Sequence, residues 1–159
     1  MEKKIIRSDV YMIEYIYLIG EKEELKKWIL KNYVGSKKYV FKKGVNEAKM
    51  MLLDRLEEKS RCGGFCASDC TNIDGYKTIL IVVIADSIDV NINNNKRIKK
   101  QLVMVNFHEL RHAVDVLINS RRLKWEDFEA SALLQGWLNS ETYEPFQKFL
   151  ERYLKKENV

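Results

Sequence analysis

Several residue types are scarce in this 159-residue chain, and each shortage narrows what the protein can be. There are three cysteines, Cys62, Cys66 and Cys70. No export signal is expected, since Lys3 and Lys4 are followed by Asp9 and Glu14 where an apolar signal core would run, and an odd number of thiols then argues against a disulfide framework. Their C-x3-C-x3-C spacing is not that of a C-x2-C zinc knuckle, so they read as reduced thiols in a loop. The longest apolar run, residues 79–85, is a strand's length and far too short to span a bilayer. No membrane partner and a cytoplasmic location are therefore expected. No internal repeat, low-complexity linker or composition break divides the chain, so a single domain over residues 1–159 is expected, large enough to bury its own core.

Histidine is the scarcest informative residue. There are two, and both fall in His108-Glu109-Leu110-Arg111-His112. This is H-E-x-x-H, the pattern in which one helix supplies two imidazoles to Zn²⁺ and a glutamate to act on the bound water. Residues four apart stand one above the other on a helix, about 5–6 Å apart at Cβ, so both rings reach one ion. Glu109 is turned roughly 100° around the helix, beside the metal rather than onto it. No proline or glycine occurs between Asn95 and Ser120, so a helix over residues 96–119 is expected. Val103, Phe107, Leu110, Val114, Leu117 and Ile118 recur at helical spacing as its core stripe, with His108, His112 and Asp115 on another face.

A catalytic zinc needs a third protein ligand and an open position. The extension H-E-x-x-H-x-x-G-x-x-H is absent, because Asp115 and Ile118 stand where it has Gly and His. The remaining candidates are carboxylates from a following helix. Glu129 is favoured because Ala132 and Gly136 share its helical face and would let it lie close to the metal helix; Glu126, a turn earlier, is the alternative. Asp115 is placed to orient an imidazole, since ligating histidines commonly donate their other N–H to a carboxylate or carbonyl.

Elsewhere, residues 9–20 read as a strand with Tyr11, Ile13, Tyr15 and Tyr17 on one face, and 21–33 as an amphipathic helix with its acids first. Residues 39–42 suggest a short strand and 46–59 a helix. The glycine-, serine- and aspartate-containing segment 62–75 reads as loop, and 76–85 as a buried β-branched strand. Helices over 125–138 and 144–156 follow, Pro145 suiting the first turn of the last. The expected class is α+β: a small, mostly antiparallel sheet packed on helices, with a zincin-like active-site helix followed by a glutamate helix.

On the 108–112 motif, the preceding strand at 79–83 and Glu129-Ala130-Ser131-Ala132, the chain resembles zinc metallopeptidases of the gluzincin sort, and more narrowly the compact ImmA/IrrE-like metallopeptidases of bacteria, phages and mobile elements. The resemblance covers roughly residues 76–137. It departs from the family at Arg111, where Gly is common, at a shorter gap to the glutamate helix, and at Leu133, where a related group has an aspartate. It implies a Zn²⁺ held by His108, His112 and Glu129, with Glu109 as the base that takes a proton from the attacking water and returns it to the departing amine. It also implies a protein or peptide substrate, possible as a regulator, paired with a strand beside the site, for which the 76–85 strand is the first candidate. An oxyanion donor is expected among Tyr143, Arg111 and Tyr76, in that order.

Two other classes remain open. One is a zinc-binding, non-catalytic interaction module of the same fold. The other is a nucleic-acid-associated protein: residues 91–122 carry seven Lys/Arg against two acids. No nucleic-acid motif or aromatic-interleaved stripe accompanies that charge, so nucleic acid is not the expected partner.

Overall fold

The computed structural model describes residues 1–57, 63–87, 95–121 and 128–156, with the side chains of residues 87, 121, 128–130 and 156 excepted. The class is α+β, a five-stranded mixed sheet with four α-helices. In chain order these are β1 (Glu2–Ser8), β2 (Ile13–Gly20), α1 (Lys22–Trp28) continued by a π-helical segment Ile29–Val34, β3 (Tyr39–Phe41), α2 (Val45–Glu57), β4 (Gly64–Asn72), β5 (Lys77–Ile84), α3 (Asn95–Arg121) and α4 (Phe128–Lys156). The strands lie in the order β1-β2-β5-β4-β3; β2 and β5 are parallel and the other three pairs antiparallel.

The central strands are apolar on both faces because both faces are covered. Ile13, Tyr15, Tyr17 and Ile19 of β2, with Ile79, Ile81 and Val83 of β5, pack against Leu102, Leu110, Ala113 and Leu117 of α3 and Phe146, Phe149 and Leu150 of α4. Ile16, Leu18, Leu80 and Val82 face the other way, onto Leu25, Ile29, Leu52 and Leu56 from the α1–α2 side. Each such side chain stabilises the fold by about 1.5–3 kcal/mol, so two filled layers hold the sheet between its helices. Polar groups pin the register. Tyr17 donates to Asn106 Oδ1 at 2.7 Å inside the core, fixing the rotation of α3 on the sheet. Glu14, fully buried, accepts from Arg7 Nε at 2.7 Å and Lys38 Nζ at 3.1 Å. Burial alone would raise its pKa, but these two cations bring it below the usual carboxylate value.

Five sequence expectations need correction. Residues 64–72 form β4 rather than loop. Phe65, Ala67, Cys70 and Asn72 are its buried positions, and the register shift between Ala67 and Cys70 breaks the period of two that would have revealed it. The strand expected from residue 9 begins at Ile13; Asp9 to Met12 turn the β1–β2 hairpin, with Met12 at φ 50°. β1, whose Lys3, Lys4 and Arg7 suit a sheet edge, was not expected at all. The last two helices are one, with Pro145 inside it. The proline removes the bond to the Glu141 carbonyl, and the Thr142 hydroxyl bonds back to the Leu138 carbonyl at 2.9 Å in the turn before it. Finally, the core stripe of α3 is rotated: Phe107 is half exposed, whereas Leu102, Asn106 and Glu109 are buried beside Leu110, Val114 and Leu117. Residues 88–95, whose asparagine-rich sequence reads as a connection, fall outside the described residues apart from Asn95.

Candidate metal and catalytic site

The rotation fixed by Tyr17 and Asn106 decides where the motif points. His108 and His112 face outward from α3, and Glu109 turns toward β4 and is 2% exposed. The two imidazole Nε2 atoms converge to 3.0 Å, with the rings nearly perpendicular at 83° and their centroids 4.4 Å apart. At that spacing one ring can donate Nε2–H to the other. The same spacing lets both nitrogens lie about 2.0–2.1 Å from a single ion, the usual zinc–imidazole distance. The donor chemistry and convergence therefore fit a zinc ion. Among the described residues no third histidine, cysteine, aspartate or glutamate completes a metal-binding group with them.

Glu109 is held from two sides of β4. Cys66 Sγ donates to the Glu109 carbonyl oxygen at 3.0 Å. Gly64 leaves the space its carboxylate stem fills: a Cβ on Gly64 would stand 2.7 Å from Glu109 Cγ and 2.5 Å from the Val82 carbonyl oxygen. Burial pushes the Glu109 carboxyl up to about 7, opposed only by the positive charge of Arg55. Burial likewise raises the Cys66 thiol, which is a protonated donor here rather than a thiolate nucleophile.

These groups share one cleft of about 630 Å³, lined by Arg55, Gly64, Cys66, His108, Glu109, His112, Asp115 and Asn119 among others. Its size is that of a ligand or peptide-side-chain site. One wall is an open strand edge. β3 pairs with β4 only at Cys70, Thr71 and Asn72, so among the described residues 64–67 have a strand partner, β5, on one side only. The 76–85 strand cannot offer such an edge, because β5 lies between β2 and β4; β4 borders the cleft instead.

The other sequence candidates divide. Asp115 lines the cleft, and its Oδ1 lies 3.1 Å from Arg111 Nε; that oxygen is buried and makes no hydrogen bond among the described residues. Arg111 also donates to Ser131 Oγ at 3.2 Å, tying α4 to the motif helix two residues beyond Glu129. Glu129 lies in the first turn of α4, its side chain outside the description, and Glu126 and Cys62 are outside the described residues. The expectation that Ala132 and Gly136 pack on the metal helix is corrected: both are exposed, and a Cβ on Gly136 would meet nothing within 4 Å. The buried side of α4 carries Ser131 and Leu138 instead.

Tyr143 is 63% exposed on α4, twelve residues past Ser131 and so about 18 Å along the axis. It is not brought to the histidines. Tyr76 precedes β5 at the opposite end of the sheet, its hydroxyl bound to Asp9 Oδ1 at 2.7 Å. Cys70 is buried against the Tyr33 hydroxyl at 2.8 Å, away from the cleft. Sequence reasoning missed Arg55, Gly64 and Cys66. Only an alternation reading of β4 that allowed for its bulge could have found the last two. No helix among the described residues is long and apolar enough to cross a membrane. Compared with protein-family models, curated proteins and solved structures, the chain matches none.

Proposed function

We propose that this chain is a zinc-dependent peptidase of zincin type, acting on peptide bonds of a protein substrate. The observation that carries the reading is the convergence of His108 and His112 Nε2 at 3.0 Å over the cleft into which buried Glu109 also turns. His108 and His112 would hold the zinc. The third ligand is assigned, as the family resemblance implies, to Glu129, with Glu126 as the alternative; the Arg111–Ser131 bond anchors this end of α4 on the motif helix. When bound, the ion supplies a Lewis acid and lowers the pKa of a coordinated water toward about 7.

The chain's own residues do the rest. Glu109, too buried to be a freely solvated acid, accepts a proton in the cleft and returns it to the leaving amine. The space at Gly64 seats the stem of that carboxylate, and the Cys66 thiol holds the Glu109 backbone carbonyl, so this side chain stays turned into the cleft. The 64–67 edge of β4 offers backbone groups to an extended segment, which would lie beside the histidines as an added strand. Asp115, ion-paired with Arg111 one turn beyond His112, is assigned to orient an imidazole.

The test is a proteome-derived peptide digest exposed to zinc-loaded wild type and to Glu109→Gln. Cleavage by wild type alone, lower in the variant by about 10²–10⁴-fold with zinc retained, is the expected result. Identical digests with zinc present in both would give the site to the non-catalytic interaction module.

A further inference from the structure

The cleft is not uniform in charge. Among the described residues Arg55, in the last turn of α2, is the one Lys or Arg in its lining; Asp115 and Asn119 line it one and two turns beyond His112. Several exposed cations among the described residues are ion-paired. Arg7 meets Glu14 and Asp74, Arg111 meets Asp115, and Arg152 meets Glu2. Arg55 has no hydrogen bond or ion pair among the described residues. Glu57, two residues on in the same helix, is taken by Lys22 and Lys26. Its charge is felt at Glu109 across the cleft, but its guanidinium donors are not taken up by any described residue, and it lines the cleft together with Gly64, Phe65 and Cys66 of the open β4 edge.

We propose that Arg55 is a specificity-determining residue that binds a carboxylate of the substrate, so that the segment cut by this protein carries negative charge on one side of the scissile bond. The inference rests on the peptidase reading of the same cleft. A segment paired with the β4 edge advances about 3.3 Å per residue and turns alternate side chains to one face. An arginine at the rim of that edge meets a side chain at one position of it, not at every position. Guanidinium is suited to this, because its planar fork engages both oxygens of a carboxylate and stays charged at any working pH. The carboxylate can belong to an Asp or Glu side chain or to a free chain end. Both present the same two oxygens, and they differ in whether cleavage falls inside the segment or at its last residue.

The experiment compares wild type, Arg55→Ala and Arg55→Glu, each zinc-loaded, on a proteome-derived peptide library, with Glu109→Gln defining background. The expected result is Glu109-dependent cleavage enriched for Asp or Glu at one position, or for a terminal carboxylate at a fixed distance. That enrichment should fall about tenfold in Arg55→Ala and invert toward Lys or Arg in Arg55→Glu, an inversion that a merely structural role would not produce. An unchanged preference in Arg55→Glu, with cleavage still dependent on Glu109, overturns the inference and leaves the peptidase reading standing. Absence of Glu109-dependent cleavage overturns the peptidase reading. In that event arrayed peptides bound to Glu109→Gln decide the carboxylate claim: binding that prefers acidic or free-acid ends and is lost in Arg55→Glu/Glu109→Gln upholds it. Binding indifferent to Arg55 refutes it.

Discussion

At Gly64 the sheet leaves room for Glu109 of the motif helix, and replacing the glycine with alanine tests whether that approach is real. A Cβ there would lie 2.5 Å from the Val82 carbonyl oxygen and 2.7 Å from Glu109 Cγ. Ordinary non-bonded carbon contacts are about 3.5–4.0 Å, so each is short by roughly 1 Å. Neither can be relieved by a surface rotamer: one neighbour is the backbone of a central strand and the other a side chain 2% exposed. Overpacking of this kind costs about 1–3 kcal/mol, and two simultaneous contacts belong at the upper end. For a domain of this size 1 kcal/mol shifts the melting temperature by about 2–4 °C, so Gly64→Ala should melt about 4–12 °C below wild type. Gly136→Ala is the matched control. It lies in a helix with nothing within 4 Å of the new methyl, and alanine should stabilise it by about 0.5–1 kcal/mol. Circular dichroism melts of the three proteins give the answer. A Gly64→Ala variant as stable as wild type would refute the packing of Glu109 against β4.

Three further outcomes are expected. Glu14→Gln should destabilise the fold near neutral pH, because the carboxylate held by Arg7 and Lys38 has a folded pKa below its usual 4.5. Its contribution is present above 4.5 and lost as pH falls through the lower folded value, so wild type and variant should converge in urea melts run in strong acid. Glu109 behaves oppositely in the metal-free chain. Its folded pKa, raised to about 7, makes stability fall as pH rises from 4.5 toward 7; Glu109→Gln should abolish that slope and be more stable at pH 8 by about 3 kcal/mol at most. An identical pH profile in both proteins would remove Glu109 from its buried position. In a zinc-competition titration, Glu129→Ala should weaken affinity more than Glu126→Ala, and the reverse order would move the third ligand to Glu126.

The sequence announced the helix of the site but not its surroundings. The 108–112 spacing is a local property of one helix, and α3 formed over Asn95–Arg121 as its uninterrupted pattern implied. β5 was legible for a similar reason, since seven consecutive apolar residues describe a strand buried on both faces. β4 was hidden because Gly, Ser and Asp in a bulged strand look like loop, although its Gly64, Phe65 and Cys66 form a wall of the cleft. The depth of Glu109 was hidden as well. A glutamate between two histidines reads as solvent-facing until Asn106 is seen bonded to Tyr17, 89 residues away, which turns α3 and carries Glu109 inward. Tyr143 and Tyr76 failed as site residues for the matching reason: residue type suggested them, and their positions in the fold place them elsewhere.

The central claim is that the paired imidazoles are a zinc site. Its most direct test is the zinc content per chain of the purified protein, measured by elemental mass spectrometry for wild type, Glu109→Gln, His108→Ala and His112→Ala after equilibration with limiting zinc. Close to one zinc per chain in the first two proteins and almost none in the histidine variants is the predicted result. Wild type that binds no zinc, or histidine variants that bind as much as wild type, would contradict it.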